Sequence, residues 1–202
     1  MTTIPVGTDL KTLNITLQKA RTWDREVIGN NFAEEESNQI TMEELFNGKR
    51  VAVVGMPAPF TGTCTNAHFP AYKVLQDDFL KSVDELVIYT VSDPYAHYSW
   101  AEKMGNDFNK ITFLADPECE FAKEFGLDQD LKFASLGKRS SRFSMFVDDG
   151  IVKVFNLVDL VNEGTAAEDA ENLLKLVEGD QKLMDPVMGA HVVLGKVEGL
   201  WC

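Results

Sequence analysis

Apolar and polar positions alternate over residues 10–17, with Leu13, Ile15 and Leu17 on one side, which predicts a strand near the start of the chain. Residues 24–40 are polar and acidic and read as a loop. Thr41-Met42-Glu43-Glu44 has the form of a capping box, and Gly48 closes the short helix that it begins. The unbroken apolar run Val51-Ala52-Val53-Val54, stopped by Gly55-Met56-Pro57, predicts a strand buried on both faces. A loop over 57–63 leads to a helix expected from Cys64 toward Leu80, which Pro70 should bend or break. Strands over 86–91 and 111–114 each precede a helix, one over 95–104 and one over 119–125 that ends at Gly126.

The order then changes. Residues 142–147 and 151–158 flank Asp148-Asp149-Gly150, a hairpin signal because Asp-Gly tolerates positive φ. A helix over 165–177 follows, with Leu173, Leu174 and Val177 as its apolar positions. The order βαβαβα followed by ββα predicts an α/β fold with a central mixed sheet and helices on both faces. That is the order of a thioredoxin-like fold with extended termini. Residues 1–178 are expected to form one domain, and 179–202 a C-terminal extension ending in Trp201-Cys202.

Composition narrows the class. A chain of 202 residues, 45% hydrophobic and 25% charged, suits one globular domain that needs no disulfide staples. The net charge of -13 disfavours nucleic acid as a partner, since Lys138, Arg139 and Arg142 make only a small basic group beside acidic segments. Nothing near the N-terminus has the basic and apolar regions of a signal peptide, and no apolar run approaches a membrane span. Three cysteines, Cys64, Cys119 and Cys202, lie far apart without a C-x-x-C pair. Sparse cysteine fits a reducing compartment, and a cytoplasmic location is the expectation. Metal-ligand spacing, a phosphate loop and a dinucleotide fingerprint are all absent from the sequence, so no cofactor is expected.

The chemistry concentrates in Gly55-Met-Pro-Ala-Pro-Phe-Thr-Gly-Thr-Cys64-Thr-Asn-Ala-His-Phe-Pro70. It places a cysteine in the first turn of a helix, just past the C-terminal end of a buried strand, where reactive groups of α/β sheets gather. Unpaired backbone N–H groups and the helix dipole favour an anion there, hence the nucleophilic thiolate. A lone cysteine is more often a small buried hydrophobe, yet Pro57, Pro59 and Gly62 crowd the preceding loop as a fixed turn would.

Pro57, Phe60, Thr61 and Cys64 form a run P-x-x-F-T-x-x-C that resembles the active-site signature of peroxiredoxins. His68 and Pro70 resemble the H-x-P of subfamily five, the plant type II group. Ser92-Asp93-Pro94, Trp100, Leu114-Ala115-Asp116-Pro117, Arg142-Phe143-Ser144-Met145 and Asp149-Gly150-Ile151-Val152 match in order, so the resemblance spans roughly residues 4–178. It implies a thiol peroxidase that reduces hydrogen peroxide and alkyl hydroperoxides in antioxidant defence and redox homeostasis. Cys64 would be the peroxidatic nucleophile, Thr61 would hydrogen-bond thiolate and peroxide, Arg142 would stabilise and polarise them, and Pro57 would shield the sulfur. Without the motif, Thr61 reads as an ordinary cap residue and Arg142 as a surface residue. His68, one turn after Cys64, is expected to pack behind the site and not to transfer protons, while His97 and His191 have no partners in the sequence. A homodimer formed near the active-site loops is also implied.

Two departures bear on rate and on turnover. Gly62 stands where the subfamily usually has Pro, and Ala71 where it usually has Gly. Asp169 and Ile88 occupy the two positions where subfamily members carry a resolving cysteine. Reduction by an external thiol (glutathione, glutaredoxin or thioredoxin) is the first expectation, with Cys202 next as a possible resolving cysteine and Cys119 after it. A redox sensor on the same fold, or a non-catalytic interaction or holdase protein, is the competing reading.

Overall fold

The structure, a computed structural model, describes residues 4–22, 38–158 and 165–184. Its centre is a seven-stranded mixed sheet in the order β2-β1-β5-β4-β3-β8-β9. The parallel heart comprises β3 (Arg50–Met56), β4 (Glu85–Thr90) and β5 (Ile111–Ala115). β8 (Phe143–Asp148) runs antiparallel to β3, and β9 (Ile151–Leu157) antiparallel to β8. On the other side β1 (Thr16–Lys19) pairs antiparallel with β5 and with β2 (Gln39–Thr41).

Alternation along the central strands divides the interior in two. Val51 and Val53 of β3, Val87 and Tyr89 of β4, and Phe143, Met145 and Val147 of β8 enter one core. This core packs against α1 (Met42–Phe46) and α5 (Glu120–Glu124) through Leu45, Phe46, Phe121 and Ala122. Ala52, Val54, Met56, Leu86, Ile88 and Phe146 enter the other. There the sheet meets α2 (Phe69–Val74), α3 (Gln76–Phe79), α4 (Pro94–Lys103) and α6 (Ala166–Met184) through Tyr72, Phe79, Trp100, Leu173 and Val177.

Local chemistry sets the element ends. Thr41 and Glu44 make the expected reciprocal capping box on α1. Asp93 caps α4 by accepting from the N–H groups of Tyr95 and Ala96 at 3.1 and 2.8 Å. Asp149 and Gly150 take φ of 44° and 81°, as a tight turn between β8 and β9 requires. Residues 10–17 depart from the expected strand: Asp9 accepts from Lys11 N–H and starts a 3-10 turn over Leu10–Thr12, so pairing begins only at Thr16. Part of the loop expected over 24–40 is strand, since β2 begins at Gln39, while residues 23–37 lie outside those described. β6 (Asp128–Asp130) and β7 (Lys138–Ser140) form a small separate hairpin in a stretch where no element is expected. Thr165 caps α6, which continues through the boundary expected at residue 178 to Met184. Residues 185–202 lie outside the described residues.

Candidate active site

Strand direction assembles the site. Cys64 follows the C-terminal end of β3, and Arg142 stands just before β8. Because the two strands are antiparallel, with Gly55 opposite Phe143, the exit of one and the entrance of the other share one end of the sheet. Arg142 Nη1 donates to Cys64 Sγ at 3.2 Å, across 78 residues of chain. Cys64 is fully buried, so the guanidinium meets the sulfur out of bulk water, where a charge-assisted contact is strong.

The helix carrying Cys64 is not a regular one. Residues 62 and 63 begin it, and Thr65 N–H bonds back to Thr61 carbonyl at 2.9 Å. Cys64–His68 then forms a π-turn, closed by Phe69 N–H on the Cys64 carbonyl. Pro70 has no N–H to give Asn66 and its ring would crowd that carbonyl; the wider turn just before it accommodates both. The ladder that Pro70 was expected to disturb is thus rearranged upstream of the proline, and a second break follows at Leu75, between α2 and α3.

In the loop between β3 and this helix, Pro57 and Ala58 are buried and Phe60 is 52% exposed at φ 59°. The Thr61 hydroxyl donates to Ala58 carbonyl at 3.0 Å. Its proton therefore stabilises the turn, and its oxygen lone pairs remain to accept a bond. Gly62 lies outside the left-handed region, and a Cβ built on it meets no atom within 4 Å. Gly62→Ala is accordingly expected to stabilise the protein by about 0.5–1 kcal/mol through a less flexible unfolded chain, measured by urea unfolding.

His68 is fully buried, with Nε2 at 3.3 Å from Asp169 Oδ2. Burial lowers its pKa more than Asp169 raises it, so the ring is neutral and is not a cationic partner for Cys64. Tyr72 also donates to Asp169 Oδ2, and Ser144 Oγ donates to Oδ1 at 2.8 Å. Burial, then the Asp169 charge, lifts the Tyr72 phenol well above its ordinary range. Asp169 and Ser144 were not singled out as site residues by the sequence: Asp169 showed only as a residue in place of a cysteine. Their signal is spatial, since Ser144 of β8 and Asp169 of α6 meet only in the folded chain.

The other candidates lie elsewhere. Cys119 belongs to the core on the opposite face of the sheet from Cys64, and burial followed by the Asp116 charge raises its pKa. A disulfide requires Cα atoms within about 7 Å, and the sheet stands between these two cysteines, so within one folded chain Cys119 is poorly placed for the resolving role. Cys119 instead takes φ 59° as the residue before α5, and Asp116 accepts from Glu120 and Phe121 N–H at 2.8 and 3.1 Å. Cys202 and His191 lie outside the described residues.

His97, read as incidental, is fully buried between Trp100 and Phe113, with neither ring nitrogen hydrogen-bonded among the described residues. Burial lowers its pKa from 6.5 to about 3. The unfolded chain binds a proton below pH 6.5 that the folded chain refuses until about pH 3, so stability falls as pH drops through that window. His97→Leu is expected to flatten this loss, giving a stability gain over wild type that grows between pH 6.5 and 4, read from urea unfolding at each pH. An equal gain at every pH would contradict the assignment.

The redoxin family model matches residues 13–174. Peroxiredoxin-2F, mitochondrial, of Arabidopsis thaliana is 36% identical over 194 residues, covering 95% of this chain and 83% of that protein. The protein of the same name from Oryza sativa subsp. japonica is 42% identical over 144 residues, 71% of this chain and 69% of its own. Among solved structures, reduced Prx3 of Vibrio vulnificus in complex with hydrogen peroxide superposes with a TM-score of 0.70 at 29% identity, covering 88% of this chain and 98% of that one. The cytoplasmic expectation is overturned by the two plant relatives, both mitochondrial by name, which point to that compartment instead. Sparse cysteine reports a reducing milieu, a property that does not separate one reducing compartment from another.

Proposed function

The chain belongs to the redoxin family as a peroxiredoxin of the plant type II kind, a thiol peroxidase, and from that premise we propose that Cys64 is the sulfur that attacks the peroxide. The observation that carries this is the contact of Arg142 Nη1 with Cys64 Sγ, 3.2 Å at the head of a helix. In the attack, the thiolate lone pair forms an S–O bond while the O–O bond breaks. Negative charge leaves sulfur and appears on the departing oxygen, which takes up a proton to leave as water or an alcohol. Arg142 bonds the thiolate before the reaction and the peroxide oxygens during it, so its stabilisation grows along the path. With its proton on Ala58, Thr61 accepts the O–H of the incoming hydroperoxide. Pro57, buried at the exit of β3, keeps water from the sulfur. His68 supports the helix from behind.

The product is Cys64 sulfenic acid. One thiol converts it to a mixed disulfide with release of water, and a second thiol restores the thiolate. We assign these to an external reductant of the glutathione, glutaredoxin or thioredoxin class, because Cys119 lies across the sheet; Cys202 remains the internal alternative. Hydrogen peroxide and small alkyl hydroperoxides are the substrates. A homodimer that covers the exposed Phe60 near the active-site loop fits this reading.

The test adds one equivalent of hydrogen peroxide to reduced protein, with and without a sulfenic-acid trap, and maps the peptides by non-reducing mass spectrometry. Rapid sulfenylation confined to Cys64, lost in Cys64→Ser, supports the assignment; a reduced Cys64 in folded protein sinks it. Repeated turnover of excess peroxide with added thiol separates a peroxidase from a sensor, and peroxidase activity retained in Cys64→Ser would remove this sulfur from the mechanism.

A further inference from the structure

The contact between Cys64 and Arg142 spans two elements, a helix and the entrance of β8, so its length depends on how firmly those elements are held together. One carboxylate joins them a short way behind it. Asp169, in the first turn of α6, accepts from Tyr72 and His68 of the helix and from Ser144 of β8. His68 and Tyr72 follow Cys64 by four and eight residues, and Ser144 follows Arg142 by two. We propose that Asp169 is a positioning residue for peroxide reduction, clasping the helix and β8 so that Cys64 and Arg142 stay in register.

The bonding requires a carboxylate. Ser144 Oγ already accepts from Asn156 Nδ2 at 3.3 Å, which leaves its proton to point at Asp169. Neutral His68 presents Nε2–H, and the Tyr72 phenol keeps its proton. Three donors therefore converge on one group, and only an acceptor-only group satisfies all three. An amide would turn its own N–H groups toward at least one of them. All three donor residues are fully buried, so no water replaces a lost partner cheaply. Asp169 keeps 11% of its side-chain surface exposed, and α6 is anchored at its far end by Arg50 Nη1 on Asp180 at 2.9 Å. The clasp thus hangs on a helix that is itself fixed.

This inference rests on the peroxidase reading above, and the experiment separates the two. Two rate constants are measured on folded protein at one pH, sulfenylation of Cys64 by hydrogen peroxide and its alkylation by iodoacetamide. Alkylation draws only on the thiolate that Arg142 holds before the reaction; peroxide reduction also needs Arg142 aligned with the departing oxygen, a stricter demand on its position. In Asp169→Asn the peroxide rate is expected to fall about 10- to 100-fold with little change in alkylation, as a displacement of an ångström does to a positioned reaction. Tyr72→Phe and Ser144→Ala each remove one donor and should show the same split at smaller size, which keeps the test decisive if Asp169→Asn folds poorly. Both rates falling together, or neither changing, overturns the positioning role. A wild-type chain that peroxide leaves reduced overturns the peroxidase reading and this inference with it.

Discussion

Arg142→Gln is expected to slow sulfenylation of Cys64 about 10²–10³-fold, the usual effect of removing one preorganised donor from a site of developing charge. Glutamine retains hydrogen-bonding groups and much of the stem but lacks the charge. The sulfur is fully buried, so water cannot take over from the guanidinium that lies 3.2 Å away. Arg142→Lys should recover only part of the loss, because an ammonium is a point charge and cannot hold attacking sulfur and departing oxygen in one plane. Arg142 itself is half-buried and lies outside both cores, so the melting temperature should change far less than the rate. Trapped sulfenate against time, at several peroxide concentrations, gives the second-order constant. A loss smaller than about tenfold, or about 1.4 kcal/mol, would show that Arg142 is not a principal transition-state donor.

Gly55→Ala is the substitution expected to damage the framework most. A Cβ at this position would sit 2.0 to 2.5 Å from three ring carbons of Phe143, its partner across β3 and β8. The ring has nowhere to go, being fully buried and packed on Tyr89, Phe121 and Phe155 at centroid distances of 5.7, 6.3 and 5.7 Å. Overpacking of this kind costs about 1–3 kcal/mol. For a chain of this size each kcal/mol lowers the melting temperature by about 2–4 °C. Phe143 adjoins Arg142, so a displaced ring should also slow Cys64 oxidation in the protein that still folds. Adding Phe143→Leu should restore part of the stability by making room. An unchanged unfolding midpoint in Gly55→Ala would mean that β3 and β8 separate more easily than their packing indicates.

Much of this was readable from residue order because the signals were local. Val51 to Val54 announced a doubly buried strand, Asp149-Gly150 a tight turn, and Thr41 with Glu44 a helix start, each within a few residues. The motif around Cys64 was equally local, and it brought Arg142 in by resemblance. The small β6–β7 hairpin lacked such a signal, since Asp128–Asp130 and Lys138–Ser140 are short and polar. Strand β2 was hidden for the same reason, with a single buried residue, Ile40, between two exposed ones. Asp169 escaped because its meaning lies in three donors from two other elements. Thr61 came in with the motif, but the direction of its hydroxyl depends on Ala58 and emerges only in three dimensions.

The division of the interior by the sheet also gives oxidised samples a built-in quality marker. Cys64 and Cys119 sit in separate cores, so a covalent link between them within one chain requires the sheet to have come apart. A 64–119 cross-link in a digest of the non-reduced monomer band therefore records past unfolding and says nothing about turnover. Its abundance, followed through storage or heating, would date the onset of damage in a preparation whose surviving folded molecules still turn over at full speed.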